Sequence, residues 1–152
     1  MKSTYRRGVA VASAAALVLG LTAGAQAEQW KFALEEVDGS VQDAYATEFK
    51  KRIEEKSDGE ITVEIFPYGT LGTSTQLTEL AANGALQFVN ASPGHLGKLI
   101  PEIQVFSIPY LLPENDACTK EILGGSEVLY DNLSDKFAQQ NLNLLTMYPE
   151  GE

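Results

Sequence analysis

The 152-residue sequence holds one cysteine, one histidine and one tryptophan. A single thiol, Cys118, excludes an intrachain disulfide and any cysteine-rich metal site. Its expected place is the buried side of a helix, as a small apolar group. A single imidazole, His95, excludes a histidine-built zinc site, because zinc needs several converging ligands. Positive charge is scarce as well: 11 Lys and Arg stand against 21 Asp and Glu, a formal net charge of -10. Such a surface repels phosphate backbones and anionic lipid, so nucleic acid is excluded as an expected partner. The sequence also lacks a Gly-x-Ser-x-Gly elbow, a phosphate-binding loop and a dinucleotide fingerprint. Neither catalysis nor a cofactor is expected.

What is present begins with a leader. Lys2, Arg6 and Arg7 form a positive head, residues 8–21 are apolar, and Ala25-Gln26-Ala27 is a small-x-small cleavage site. This is the pattern of a secretory signal peptide over 1–27, leaving 28–152 as the mature chain. A membrane anchor is disfavoured, because the apolar run is too short to span comfortably. Cleavage removes three basic residues and no acidic one, so the mature chain is more acidic still.

Trp30, Phe32 and Leu34 alternate and predict a strand over 29–34. Ser40 then caps a helix, with Asp43 three residues on. Val41, Ala44, Tyr45, Phe49 and Ile53 recur at helical spacing as its expected apolar face, and Gly59 ends it as a left-handed cap. Ile61, Val63 and Ile65 mark a second strand. Thr73, with Gln76, opens a second helix that turns Leu77, Leu80 and Ala81 inward and stops at Gly84. A third strand is predicted over 85–90. Strands alternating with helices predict an α/β fold, a mainly parallel sheet flanked by helices. Beyond Gly97, prolines predict short helical turns and an extended segment. Helices are expected over 115–123 and 126–140, and a further strand over 142–148. Tyr68 and Tyr110 are expected in the core by default.

In open parallel sheets, ligands sit beyond the carboxyl ends of the strands. The loops 35–39, 67–72 and 91–97 qualify. Two of them lead into helix N-termini, which suit an anion, yet Glu35 and Glu36 place carboxylates in the same region. That combination favours a ligand with an anionic end and a cationic or N–H-bearing end. On the residues alone, solvated loop charge is the plainer reading of the glutamate pair. Adjacent residues on an extended chain point to opposite faces, which disfavours joint acid–base catalysis.

Four blocks now matter together: Trp30-Lys31-Phe32-Ala33, Pro67-Tyr68-Gly69-Thr70-Leu71-Gly72, Gly84-Ala85-Leu86-Gln87-Phe88-Val89 and Phe106-Ser107-Ile108-Pro109-Tyr110. In that order and spacing they resemble the DctP-type solute receptors of TRAP transporters. That family has two α/β lobes closing on a ligand, commonly an organic acid such as a C4-dicarboxylate. It passes the ligand to a membrane permease driven by an ion gradient. The resemblance implies a periplasmic, monomeric binding protein, not an enzyme, with no cofactor and no metal. Its implied partners are a small carboxylate or zwitterion and the permease subunits.

Glu35-Glu36, Val41-Gln42-Asp43, the run from Leu86 through Ser92-Pro93-Gly94, and Met147-Tyr148-Pro149-Glu150-Gly151-Glu152 resemble, more narrowly, the branch that binds ectoine and hydroxyectoine. There the second glutamate contacts the ligand's ring nitrogens, which implies Glu36. An aromatic residue after Ser-Pro-Gly stacks on the ligand, and this chain has His95 in its place. Glu35, Thr73 and Ser92 complete the implied ligand-binding set, the latter two as polar contacts. Family members are longer, with two domains of ordinary size. The chain therefore reads as an N-terminal lobe, truncated before the second lobe and its carboxylate-clamping arginine, and weak in binding by itself. Two alternatives stay open, a ligand-binding sensory module feeding a signalling receptor and a periplasmic enzyme using the glutamate pair.

Overall fold

The computed structural model describes residues 27–150, so the leader read over 1–27 lies outside the described residues save Ala27. Strand β1 (Glu28–Ala33) runs parallel to β2 (Ile61–Phe66) along its whole length, with Glu28 opposite Ile61 and Ala33 opposite Phe66. Its other edge pairs with β3 (Phe88–Val89), Phe32 opposite Phe88, which sets the order β2-β1-β3. Helices α1 (Val41–Lys56) and α2 (Ser74–Ala82) make the crossovers. The lobe is thus a parallel α/β sheet with covering helices. Because the chain moves from β1 out to β2 and then returns past β1 to β3, a switch point opens between β1 and β3.

Alternation along β1 divides the interior. Phe32 and Leu34 pack with Ala46 of α1 and Val63, whereas Ala33 packs with Leu77 and Ala81 of α2 and with Leu86. Phe49 joins the first cluster edge-on, its ring centroid 5.4 Å from Phe32 and 4.8 Å from Phe88. After β3 come α3 (Pro93–Leu96), a 3₁₀ helix (Pro101–Ser107), α4 (Asp116–Gly125) and α5 (Glu127–Ala138). Leu96, Ile100 and Ile103 meet Leu133 and Phe137 of α5 in a third cluster. Among the described residues, no helix is long and apolar enough to cross a membrane.

Several expectations are met in kind. Ser40 accepts from the Asp43 N–H, and Gly59 takes φ +80 at the end of α1, its N–H donating to the Glu54 carbonyl. Others are corrected. The buried positions of α1 are Gln42 and Ala46, while Val41 and Tyr45 are exposed, so the apolar face is turned by about one residue. That rotation is tolerated because the Gln42 amide finds partners, described below. The third strand is shorter than 85–90. The Gln87 side chain, not a backbone carbonyl, accepts from the Lys31 N–H at 2.9 Å, which ends regular pairing there. Asn90 extends the alignment with an N–H to the Ala33 carbonyl at 3.0 Å.

Residues 142–148 form no strand. An extended segment needs an edge to pair with, and a cavity of about 790 Å³, lined by residues of both, lies between this segment and β3. Cys118 is exposed. The buried positions of α4 are Thr119 and Leu123, four apart, and Cys118 stands one residue off that line. Tyr68 and Tyr110 point outward instead of into the core, Tyr110 almost completely and with a left-handed φ of 61.

Candidate functional site

The site is built from the loops that leave β1 and β3 on either side of the switch point. The Leu34 N–H donates to the Phe66 carbonyl at 2.9 Å, which carries the extended backbone past the end of β1. Glu35 then turns inward, its side chain only 6% exposed. Its Oε2 accepts from the Ser92 N–H at 2.8 Å, so a carboxylate at the end of β1 anchors the loop after β3. A charge-assisted bond to backbone of this kind is stronger than a neutral one and offsets part of the cost of burying the charge. The Glu35 N–H in turn donates to Gln42 Oε1 at 2.9 Å, which is why α1 buries a glutamine.

His95 completes this cluster. Its Nδ1 lies 2.8 Å from Ser92 Oγ and 3.1 Å from Glu35 Oε1. The nitrogen is aimed at the hydroxyl, so Oε1 is close enough for an ion pair with a protonated ring but has no hydrogen-bond partner. The His95 side chain stays 46% exposed, and its ring is accessible from solvent.

Glu36 has its carbonyl held by the Tyr68 N–H at 2.9 Å, which ties the 67–72 loop to the first. Thr73 stands apart. Its N–H and hydroxyl both bond Gln76 Oε1, at 2.9 and 3.1 Å, as part of the cap of α2. Among the described residues, no bond joins Thr73 to the other four predicted site residues. The structure therefore brings Glu35, Ser92 and His95 into direct contact, while among the described residues no side-chain bond joins Glu36 or Thr73 to them.

Beside this cluster lies the cavity, lined by Ser92, Asn90 and Gln87 on one side and by Tyr148, Pro149 and Glu150 on the other. Tyr148 stacks on Tyr45 of α1 with ring centroids 5.0 Å apart and planes 17° from parallel. Gln42 Nε2 donates to the Glu150 carboxylate, so one buried amide grips both the backbone of Glu35 and the end of the 142–150 segment. Burial, followed by the charge of Glu150, the phenol of Tyr45 and the charge of Glu36, holds the Tyr148 hydroxyl well above the ordinary tyrosine value. It is therefore a neutral donor throughout the physiological range.

Gln42, Tyr45, Tyr148 and Glu150 escaped the sequence reading as site residues. One signal was available: Gln42 stands in phase with Ala46, Phe49 and Ile53, and a glutamine on a buried helical stripe requires polar partners. Among the described residues, no group of three or more His, Cys, Asp or Glu could hold a metal ion.

A parallel lobe whose polar loops gather at a switch point beside a cavity has the arrangement in which open α/β sheets commonly hold small ligands. The chain belongs to the bacterial extracellular solute-binding proteins of family 7, the DctP family, whose profile matches residues 32–152. It is 45% identical over 149 residues to the ectoine/5-hydroxyectoine-binding periplasmic protein UehA of Ruegeria pomeroyi, covering 98% of this chain and 43% of that protein. It is 43% identical over 141 residues to the ectoine-binding periplasmic protein TeaA of Halomonas elongata, covering 93% of this chain and 41% of that protein. The solved structure of the periplasmic ectoine-binding protein of the Halomonas elongata TeaABC TRAP transporter superposes with a TM-score of 0.76 at 43% identity. That match covers 82% of this chain and 40% of the other. The chain thus spans about two fifths of the length of these relatives.

Proposed function

We propose that residues 28–152 are the N-terminal lobe of a periplasmic solute receptor, delivered by the leader at 1–27, which binds a zwitterionic compatible solute of the ectoine type for a TRAP permease. The observation that carries this reading is the division of labour in the glutamate pair. Glu35 is buried and engaged with Ser92 and His95, while the Glu36 carboxylate makes no hydrogen bond or ion pair among the described residues. One carboxylate fixes the cleft loops and the other is left for the ligand. A carboxylate in that place suits a ligand with a protonated or N–H-bearing end and works against a dianion. Identity to ectoine-binding proteins over nearly the whole chain supports the same class.

In this reading Glu36 accepts the ligand's N–H groups, His95 offers a flat ring in place of a larger aromatic, and Ser92 supplies a polar contact from the cavity wall. Thr73 is the weakest member of the set, since its hydroxyl already serves the cap of α2. The protein works as a monomer, binds without transforming its ligand, and hands it to the permease subunits.

Calorimetric titration of the full chain, expressed from its gene, tests this. Ectoine is expected to bind, succinate to bind far more weakly, and Glu36→Ala to weaken ectoine binding about tenfold or more, the loss of a hydrogen bond to a charged group. Binding of neither solute, or an unchanged affinity in Glu36→Ala, overturns the assignment.

A further inference from the structure

Among the described residues, three buried side-chain atoms have no hydrogen-bond partner: Glu35 Oε1, Asn90 Nδ2 and Tyr148 Oη. Glu35 and Asn90 follow β1 and β3 at the switch point, while Asn90 and Tyr148 both line the cavity beside it. Buried orphans are rare in folded proteins and, when clustered at a cleft, mark where a ligand or water completes the bonding. Glu35 Oε1 has His95 within ion-pair reach, but the two donors have nothing.

We propose that the Tyr148 hydroxyl is a ligand-contacting donor of this cleft, and that with Glu36 and Glu150 it selects a compact zwitterion over a dianion. The proposal rests on the functional reading given above and adds residues to it. Geometry fixes the donor. The Tyr148 ring is clamped by its stack on Tyr45, and Glu150, two residues on, is held by Gln42. The hydroxyl is therefore a preorganised O–H, and burial first, then the charges of Glu150 and Glu36, keeps its proton in place. A ligand whose cationic N–H groups turn toward Glu36 and Glu150 can offer its own carboxylate oxygen to Tyr148, with Asn90 Nδ2 as a second free donor on the cavity. A dicarboxylate would satisfy the donors equally well. Its second charge, however, would face two carboxylates, a repulsive element against the wrong ligand.

The test is calorimetry on the full chain expressed from its gene, with ectoine and succinate as probes. Tyr148→Phe keeps the ring stack and removes only the hydroxyl. It is expected to weaken ectoine binding about tenfold, while the unfolding temperature of the ligand-free protein stays the same or rises, because a buried orphan has gone. Glu150→Gln retains an acceptor for Gln42 and is expected to narrow the preference for ectoine over succinate. Unchanged ectoine affinity in Tyr148→Phe, or a lower unfolding temperature without ligand, overturns the proposal and leaves the receptor reading intact. A wild-type protein that binds neither probe overturns both.

Discussion

Residues 28–84 and residues 85–150 solve the same problem with unequal means. In the first region the strand alternation and the inner faces of α1 and α2 meet their partners within one crossover, with Val41, Tyr45 and Tyr68 left exposed. β1 and β2 pair over six residues each, and α1 and α2 cover opposite faces of β1. In the second, β3 contributes two paired residues, a 3₁₀ helix follows where short helical turns are expected, and 142–148 forms no strand. Leu142 and Leu144 still alternate as a strand would, packing against the cluster around α5, with Asn143 and Leu145 turned out. Period-two alternation encodes the capacity to pair; pairing itself needs a neighbouring edge. Where a cavity stands in place of that edge, the pattern yields packing without a ladder.

The sharpest way to break this comparison is to truncate matched leucines. Leu34 is completely buried beside β1, and Leu34→Ala is expected to cost about 3 kcal/mol of stability as a cavity mutation. Leu145 is 65% exposed, and Leu145→Ala is expected to change stability by less than about 0.5 kcal/mol. Urea unfolding of both variants measures the difference. Equal effects would mean that the second region is packed as firmly as the first.

A smaller effect is expected where the regions are stitched together. Glu35→Ala removes the acceptor of the Ser92 N–H and the carboxylate beside His95. A loss of about 2 kcal/mol is expected, the typical cost of orphaning one buried partner of a charged bond. Hydrogen exchange should locate the damage: the Ser92 amide loses protection, while amides of β1 paired to β2 keep theirs. In the wild type, amides of 143–146, which make no backbone bond among the described residues, should exchange far faster than either.

The legible part of the molecule was the part whose determinants are local. The Trp30-Phe32-Leu34 alternation, the Ser40 cap, the turn at Gly59 and the Leu77 and Ala81 face all act within a few residues, and all appear as read. The loops at the strand ends were legible for the same reason, since the order of strands and helices dictates them. What the sequence concealed was phase and partnership. Tyr45 and Gln42 both fit a helical stripe, and only the Glu35 backbone and Glu150, 108 residues from Gln42, decide which of them is buried. Cys118 likewise lost its place to Thr119, whose hydroxyl donates to the Pro113 carbonyl.

The subtlest expected effect concerns the stack of Tyr148 on Tyr45, one of the aromatic contacts that join the two regions. Burial and the neighbouring acidic groups raise the folded-state value of Tyr148 above its ordinary 10.0. The folded chain thus keeps a proton that the unfolded chain releases, so this group's contribution to stability is complete below pH 10 and fades as pH rises above it. Two readings follow for an alkaline titration. The near-ultraviolet absorbance of tyrosinate should show the Tyr148 step displaced upward and merging with unfolding, and Tyr148→Phe should remove that step and flatten the decline of stability above pH 10. A Tyr148 step that is not displaced upward would show that the 142–150 segment does not stay docked on α1. The contrast between the regions would then be greater than their packing implies.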